Sequence, residues 1–252
     1  MLERLHRSSS STIRRSIRYW LEHPPAPDVL ATSATAIIFD GSMVKKRRGP
    51  YVALDGQTNT VIAAEDDIAE NGRELLPFYQ RLFNAGITPE YAVIDGNPQE
   101  TKYLKTVWPQ IIIQRCIVHV QRQGLQWCRR RPKRTDAKHL RTLFLDLSSI
   151  KTFEQVQLYL QRVEQWEERF GVRIQQTPER GPVFSDIKRA RSMLLKALPS
   201  MFYFIVDPRV PPSTNAIEGY FSRLKELYRC HRGLSPAHRR GYFLWYFYLV
   251  RR

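Results

Sequence analysis

Two short apolar runs, Ala36-Ile-Ile-Phe-Asp40-Gly41 and Ala92-Val-Ile-Asp95-Gly96, each end in an aspartate followed by a glycine. Runs of this length and composition read as buried strands, and the acid that closes each must emerge where the strand leaves the core. A carboxylate at the carboxyl end of such a strand points into the crevice where open α/β sheets bind ligands. The following glycine lets the backbone turn away and leaves room for a metal or a phosphate. Asp-Gly is equally a common turn dipeptide, and Asp55-Gly56 is read here only in that way.

The surrounding pattern predicts strands over residues 35–40, 49–54, 60–64, 91–95 and 111–115. The second and third form a hairpin on the Asp55-Gly56 turn, so the first three are antiparallel neighbours. Helices are expected at 74–84, with Leu75, Phe78, Tyr79, Leu82 and Phe83 on one face and Gly86 as the stop, and at 100–107. Strands followed by strand–helix–strand units imply an α/β fold, a mixed five-stranded sheet with helices against it. Residues 122–205 lack strand-like alternation and read as an all-α insertion, in which Glu164, Glu167 and Glu168 lie on a solvated face. A last long helix is expected from about Thr214 to Tyr228, before a basic aromatic tail. Upstream, residues 8–21 set Ile13, Ile17, Trp20 and Leu21 in a helical stripe opposite Arg14, Arg15 and Arg18. That suits the second helix of a helix-turn-helix and, equally, a basic helix packed on the next domain. Pro24-Pro25-Ala26-Pro27 then reads as a stiff linker. The chain therefore divides into 1–33, 34–121, 122–205 and 206–252.

Charge narrows the partners. The net charge is +16, and it is concentrated at residues 1–20 (+4), 122–141 (+7) and 223–252 (+7), the remainder being slightly acidic. Basic stretches interrupted by Trp20, Trp127, Tyr228, Tyr242 and Trp245 read as phosphate-tracking surfaces with stacking groups, and a polyanion is the expected partner. The candidate DNA-binding side chains are Arg14, Arg15, Arg18, Arg129, Arg130, Arg131, Lys133, Arg134, Arg223, Lys225 and Arg232. With 42% hydrophobic residues over 252 positions, a mainly disordered basic tail is excluded. The longest apolar run is about half of the ~20 residues a membrane span needs, and arginines stand where a signal peptide would be apolar. Three scattered cysteines suit a reducing compartment. A soluble cytoplasmic protein, free of the membrane, is expected.

Two aspartates rarely hold enough metal for phosphodiester chemistry, so a third acid is sought, and Glu218 in Ser213-Thr-Asn-Ala-Ile-Glu218 is the best placed. The same Asn215-x-x-Glu218 spacing also fits a capping box, with Asn215 as the cap. Cys116-x2-His119 follows the fifth strand directly. It reads as half a zinc site with Cys230-His231, as a buried thiol with a hydrogen-bonded imidazole, or as a histidine beside the metal site.

Together, Asp40, Val-Ile-Asp95-Gly-Asn, Cys116-x2-His119, the helical insertion, Thr214-Asn-Ala-Ile-Glu218 with Ser222-Arg-Leu-Lys225, and Cys230-His-Arg-Gly-Leu-Ser235 resemble the DDE transposases of the Mutator-like class and related bacterial insertion sequences. The resemblance covers about residues 34–252. It implies an RNase H-like fold whose fourth and fifth strands run parallel to the first, with the insertion before the last catalytic helix. It also implies that Asp40, Asp95 and Glu218 bind two Mg2+ ions, with Mn2+ as a substitute. Water then cuts the element's end, and the freed 3′-hydroxyl attacks target DNA. His119 takes a catalytic supporting role, with Cys116 beside it, and Asn215 is a DNA-contacting or supporting residue. Double-stranded DNA, both element ends and target, is the implied partner. A homodimer pairing two ends at the bacterial nucleoid is implied as well. Relatives usually carry a substantial N-terminal DNA-binding region, whereas about 30 residues precede the core here. A DNA-binding remnant without catalysis and a structure-selective nuclease on the same fold are the alternatives.

Overall fold

The structure, a computed structural model, describes residues 9–44, 48–69, 73–176 and 181–250. The outermost residues of the two terminal basic clusters lie outside them. In chain order the elements are α1 (Ser10–Glu22), β1 (Ala36–Gly41), β2 (Arg48–Asp55), β3 (Val61–Ala69), α2 (Leu75–Asn84), β4 (Tyr91–Ile94), α3 (Pro98–Val107) and β5 (Ile112–Arg115). The helices α4 (Ile117–Cys128), α5 (Thr135–Asp146), α6 (Phe153–Trp166), α7 (Val172–Gln176), α8 (Gly181–Ala197), α9 (Tyr203–Val206), α10 (Asn215–Arg229) and α11 (Pro236–Val250) follow.

The two acid-terminated runs, β1 and β4, are neighbours within one five-stranded sheet of order β3-β2-β1-β4-β5. β2 pairs antiparallel with β1 and β3, while β1, β4 and β5 are parallel. In the hairpin the Asp55 carboxylate accepts the Gln57 and Thr58 amides at 2.8 and 3.1 Å, so this Asp-Gly is purely a turn device. β3 extends five residues beyond the expected 60–64. Of its three added acids, Glu65 pairs with Arg81 at 2.7 Å and Asp67 with Arg48 at 3.1 Å, while buried Asp66 lies 3.9 Å from Arg239, and Ile68 packs in the core.

Strand alternation gives the sheet two apolar faces. Ile37, Phe39, Tyr51 and Ile62 pack with Leu75, Phe78, Tyr79, Leu82 and Leu104 of α2 and α3. On the other face Ile38, Val52, Leu54 and Val93 pack with Ile217, Tyr220, Phe221 and Leu224 of α10 and with Phe243 and Phe247 of α11. Phe83, expected on the buried face of α2, is 48% exposed and stands edge to face with Trp108. The segment expected as a basic aromatic tail is α11, a helix buried on the sheet. Against its outer side lies α1, where Trp245 Nε1 donates to the Trp20 carbonyl at 2.7 Å and the two indoles meet edge to face. From Ser10 to Glu22 the basic segment is a helix packed on α11, as one of its two readings has it. Trp20 and Trp245 are thereby engaged with each other.

From α4 to α9 the described residues are helical or in turns, with a core of their own that includes Leu140, Phe144, Leu147, Trp166, Ile187 and Leu194. A Cβ at Gly124 would stand 2.3 Å from the Phe144 ring, so glycine is what lets α4 and α5 approach. Glu164 and Glu168 are exposed as expected. Glu167 is not: it forms a two-pronged pair with Arg191 at 2.7 and 2.6 Å, which ties α8 to the turn after α6. The helical body is stitched to the sheet by buried Gln114 of β5, whose amide donates to the Met201 carbonyl and accepts from the Tyr203 amide. Among the described residues no helix is long and apolar enough to cross a membrane.

Candidate active site

Ile38 of β1 lies opposite Val93 of β4 in parallel register, so two residues further on Asp40 and Asp95 stand at matching positions at the same end of the sheet. Ile38 and Val93 both face α10, and the two-residue period of a strand puts both carboxylates on that side. Each acid accepts a local amide, Gly41 on Asp40 and Asn97 on Asp95, both at 2.8 Å. The glycines differ. Gly41 continues β1 opposite Tyr51, whereas Gly96 turns at φ +90°. The room beside Gly96 is filled by the Arg115 guanidinium, which any Cβ there would overlap.

α10 brings the third acid. Its cap position is Thr214, without a side-chain cap bond, so Asn215 is already helical, and Glu218 does not reach back to close a capping box. Both Glu218 oxygens instead accept from Arg122 of α4, at 3.0 and 3.1 Å, and His119 Nε2 stands 3.8 Å away. Arg122 is the principal cause of a Glu218 pKa below the usual carboxylate range. Neither the motif nor the charge clusters singled out Arg122 as a site residue. The available signal was its spacing of three after His119, which sets both on one side of a helix.

Cys116 caps the start of α4 and accepts the His119 amide, while His119 Nδ1 lies 3.2 Å from its Sγ and 3.3 Å from Thr214 Oγ1. The buried Thr214 amide also donates to Sγ at 3.3 Å. His119 is raised to about 9, first by its hydrogen bond to Cys116, then, against the opposing effect of burial, by the charges of Cys116, Asp40 and Asp95. Burial pushes the Cys116 thiol up, but the His119 hydrogen bond and charge outweigh it and bring the thiol below its ordinary value. The pair is thus occupied with itself. His231, the other half of the zinc reading, rests on the Tyr242 ring, and Cys230 is exposed.

Arg14, Arg15 and Arg18 are exposed on α1, and Arg130, Arg131 and Lys133 on the turn after α4. Arg129 begins that turn at φ +65° and lies 3.9 Å from Asp186. Arg134 is committed to Asp136 through a hydrogen bond of 3.0 Å. Lys225 and Arg232 line one cleft with Tyr228, and Asn215 and Arg223 another beside the β2–β3 hairpin.

Carboxylate oxygens are the donors Mg2+ and Mn2+ take, so the residue types at this end of the sheet suit such an ion. Among the described residues, however, no three His, Cys, Asp or Glu side chains gather closely enough to hold one as they stand. Glu218 is the member engaged elsewhere, on Arg122.

A comparison with curated proteins returns no match. The family model described as Transposase, Mutator family, matches residues 35–226. That span takes in β1 through most of α10, with Asp40, Asp95, His119 and Glu218 inside it, and the chain therefore belongs to the Mutator family of transposases.

Proposed function

We propose that this chain is the catalytic core of a DDE-type DNA transposase in which Asp40 and Asp95, on an RNase H-like sheet, and Glu218, on the helix packed against it, hold two Mg2+ ions. The reaction is phosphodiester cleavage at the element's ends followed by transfer of the 3′-hydroxyl into target DNA. The observation that carries this is the matched register of Asp40 and Asp95 beneath the helix that bears Glu218. A strand order of β3-β2-β1-β4-β5, with β2 alone running against the others, supports the RNase H-like reading. When bound, the ions supply an activated attacking oxygen and charge to stabilise the leaving one.

The chain's own groups do the holding. Asp40 and Asp95 present paired carboxylates from rigid strand ends. His119, whose imidazole pKa is raised by Cys116 and by the neighbouring aspartates, stands beside the acids and is held at Nδ1 by Cys116 and Thr214. Arg122 neutralises Glu218 until phosphate competes for the guanidinium. The basic faces of α1, the turn at 129–133 and α10 follow the duplex. Two copies pair two ends, in the cytoplasm at the nucleoid.

The test is cleavage and strand transfer on labelled DNA carrying the flanking element ends, with Mg2+ or Mn2+, for the wild type and Asp95→Asn. Cutting at the 3′ ends that the variant lacks supports the reading. Salt-sensitive binding with no cutting under either metal turns the chain into a DNA-binding remnant, and an Asp95→Asn protein that still cuts places the chemistry elsewhere.

A further inference from the structure

A groove of about 800 Å3 runs from Gly96 between α3, the end of β5 and α8. It starts at the residue after Asp95 and is lined by Lys105, Arg115, Lys188, Arg189 and Lys196, with no acid among its lining residues. Arg189 has only a 3.8 Å contact to Asp186. The other four have no carboxylate within 4.0 Å among the described residues, and Arg115 Nε is buried with no hydrogen-bond partner there. Arg115 feels the charges of Asp95, Cys116 and Glu100 only at longer range, and the lysines at the rim have no carboxylate beside them, so the groove's positive charge is only partly balanced and an arriving polyanion completes the balance. The floor is of another kind. Ile113, Trp127 and Met193 give it an apolar, partly aromatic surface. Stacked base pairs hide their flat faces, so a duplex satisfies the rim and leaves this floor without a partner. An unpaired nucleotide satisfies both, with its base on the indole and its phosphates on the cations.

We infer that this groove binds an unpaired stretch of the DNA strand adjoining the cleavage point. The inference rests on the reading of the acid site as one that acts on DNA. It gives Trp127 the stacking role, and it gives Lys105, Arg115, Lys188 and Lys196, none of which belongs to the three basic stretches of the sequence, a role as the phosphate track.

The test is fluorescence anisotropy of the full chain in EDTA, so that nothing is cut. Two labelled duplexes of the same sequence are compared, one blunt and one with a single-stranded tail of about three nucleotides. Wild type is expected to bind the tailed DNA roughly tenfold more tightly, the scale of one stacked base. Trp127→Ala should erase that preference and keep blunt binding, while Trp127→Phe retains most of it. Because Trp127 is half-buried, the exposed Lys105→Gln/Lys196→Gln pair provides a variant that does not disturb packing. It should weaken tailed binding and flatten its salt dependence by between one and two. Equal wild-type affinity for the two DNAs, or equal losses on both in Trp127→Ala, overturns the groove assignment. If metal-dependent cutting by wild type persists alongside either result, the groove assignment alone falls. Absence of binding to both DNAs and of cutting removes the reading on which it rests.

Discussion

Glu100 and Glu218 lie on opposite faces of the same sheet and are held in opposite ways. Glu100 is 4% exposed and is met by neutral donors, the hydroxyls of Tyr51 and Tyr79, which are themselves 2.6 Å apart. Burial pushes the Tyr51 phenol well above its ordinary pKa, so it stays protonated and remains a donor. Glu218 keeps a third of its side chain in solvent and is met by cations, Arg122 on both oxygens and His119 nearby. A carboxylate fixed by phenols inside an aromatic core has nowhere else to go, and removing its donors costs stability. One fixed by an exposed arginine exchanges partners whenever a stronger anion or cation arrives, because an exposed ion pair contributes little. The first arrangement builds a fold, and the second is the one that the proposed role of Glu218 requires.

Substitutions test that division. Asp95→Asn, on the working face, is expected to lose cleavage by a factor on the order of 10³ or more while its thermal unfolding and DNA binding stay at wild-type values. A large drop in melting temperature would move Asp95 to the structural class. Neutralising Arg129, Arg130 and Arg131 together should weaken duplex binding and lower the slope of log affinity against log salt by nearly three, read by anisotropy across a salt series. Tyr51→Phe removes one donor from Glu100 and should destabilise the chain by about 1–3 kcal/mol in urea unfolding, with DNA affinity unchanged. Arg122→Gln, the mildest, should lower the Mg2+ concentration at half-maximal cleavage severalfold, since Glu218 then loses its principal competitor for the ion and keeps only the more distant His119. An unchanged or raised Mg2+ requirement would mean that Arg122 assists the acid rather than holding it back.

Much of this site was readable along the chain because the relevant signals are local. Asp40 and Asp95 announce themselves by ending apolar runs, and the run lengths place both strand ends within a residue or two. The Glu218 position was readable with its motif, but its partner was not. Arg122 lies 96 residues earlier, and only the packing of α4 beside α10 makes them neighbours. α11 escaped for a different reason. Nine consecutive apolar or aromatic residues from Tyr242 to Val250 carry no period, since one side packs on the sheet through Phe243 and Phe247 and the other meets α1 through Trp245. The far half of β3 was hidden because three acids, Glu65, Asp66 and Asp67, interrupt the apolar run before Ile68 returns to the core, and two of them are held by Arg81 and Arg48. Arg115 and the lysines of the groove come from β5, α3 and α8, so no single basic stretch contained them.

The helical body has both of its feet at the acid site. It leaves the sheet at Cys116, whose amide donates to the Ile94 carbonyl next to Asp95, and it returns at Pro212, whose carbonyl receives the Ile117 amide just before α10 begins. Cys116 and Thr214 are bonded to each other across that junction. The body is thus tied to the sheet at the Cys116–Thr214 junction and again through Gln114, and the first of these ties lies between the strand end that leads to Asp95 and the start of the helix that carries Glu218.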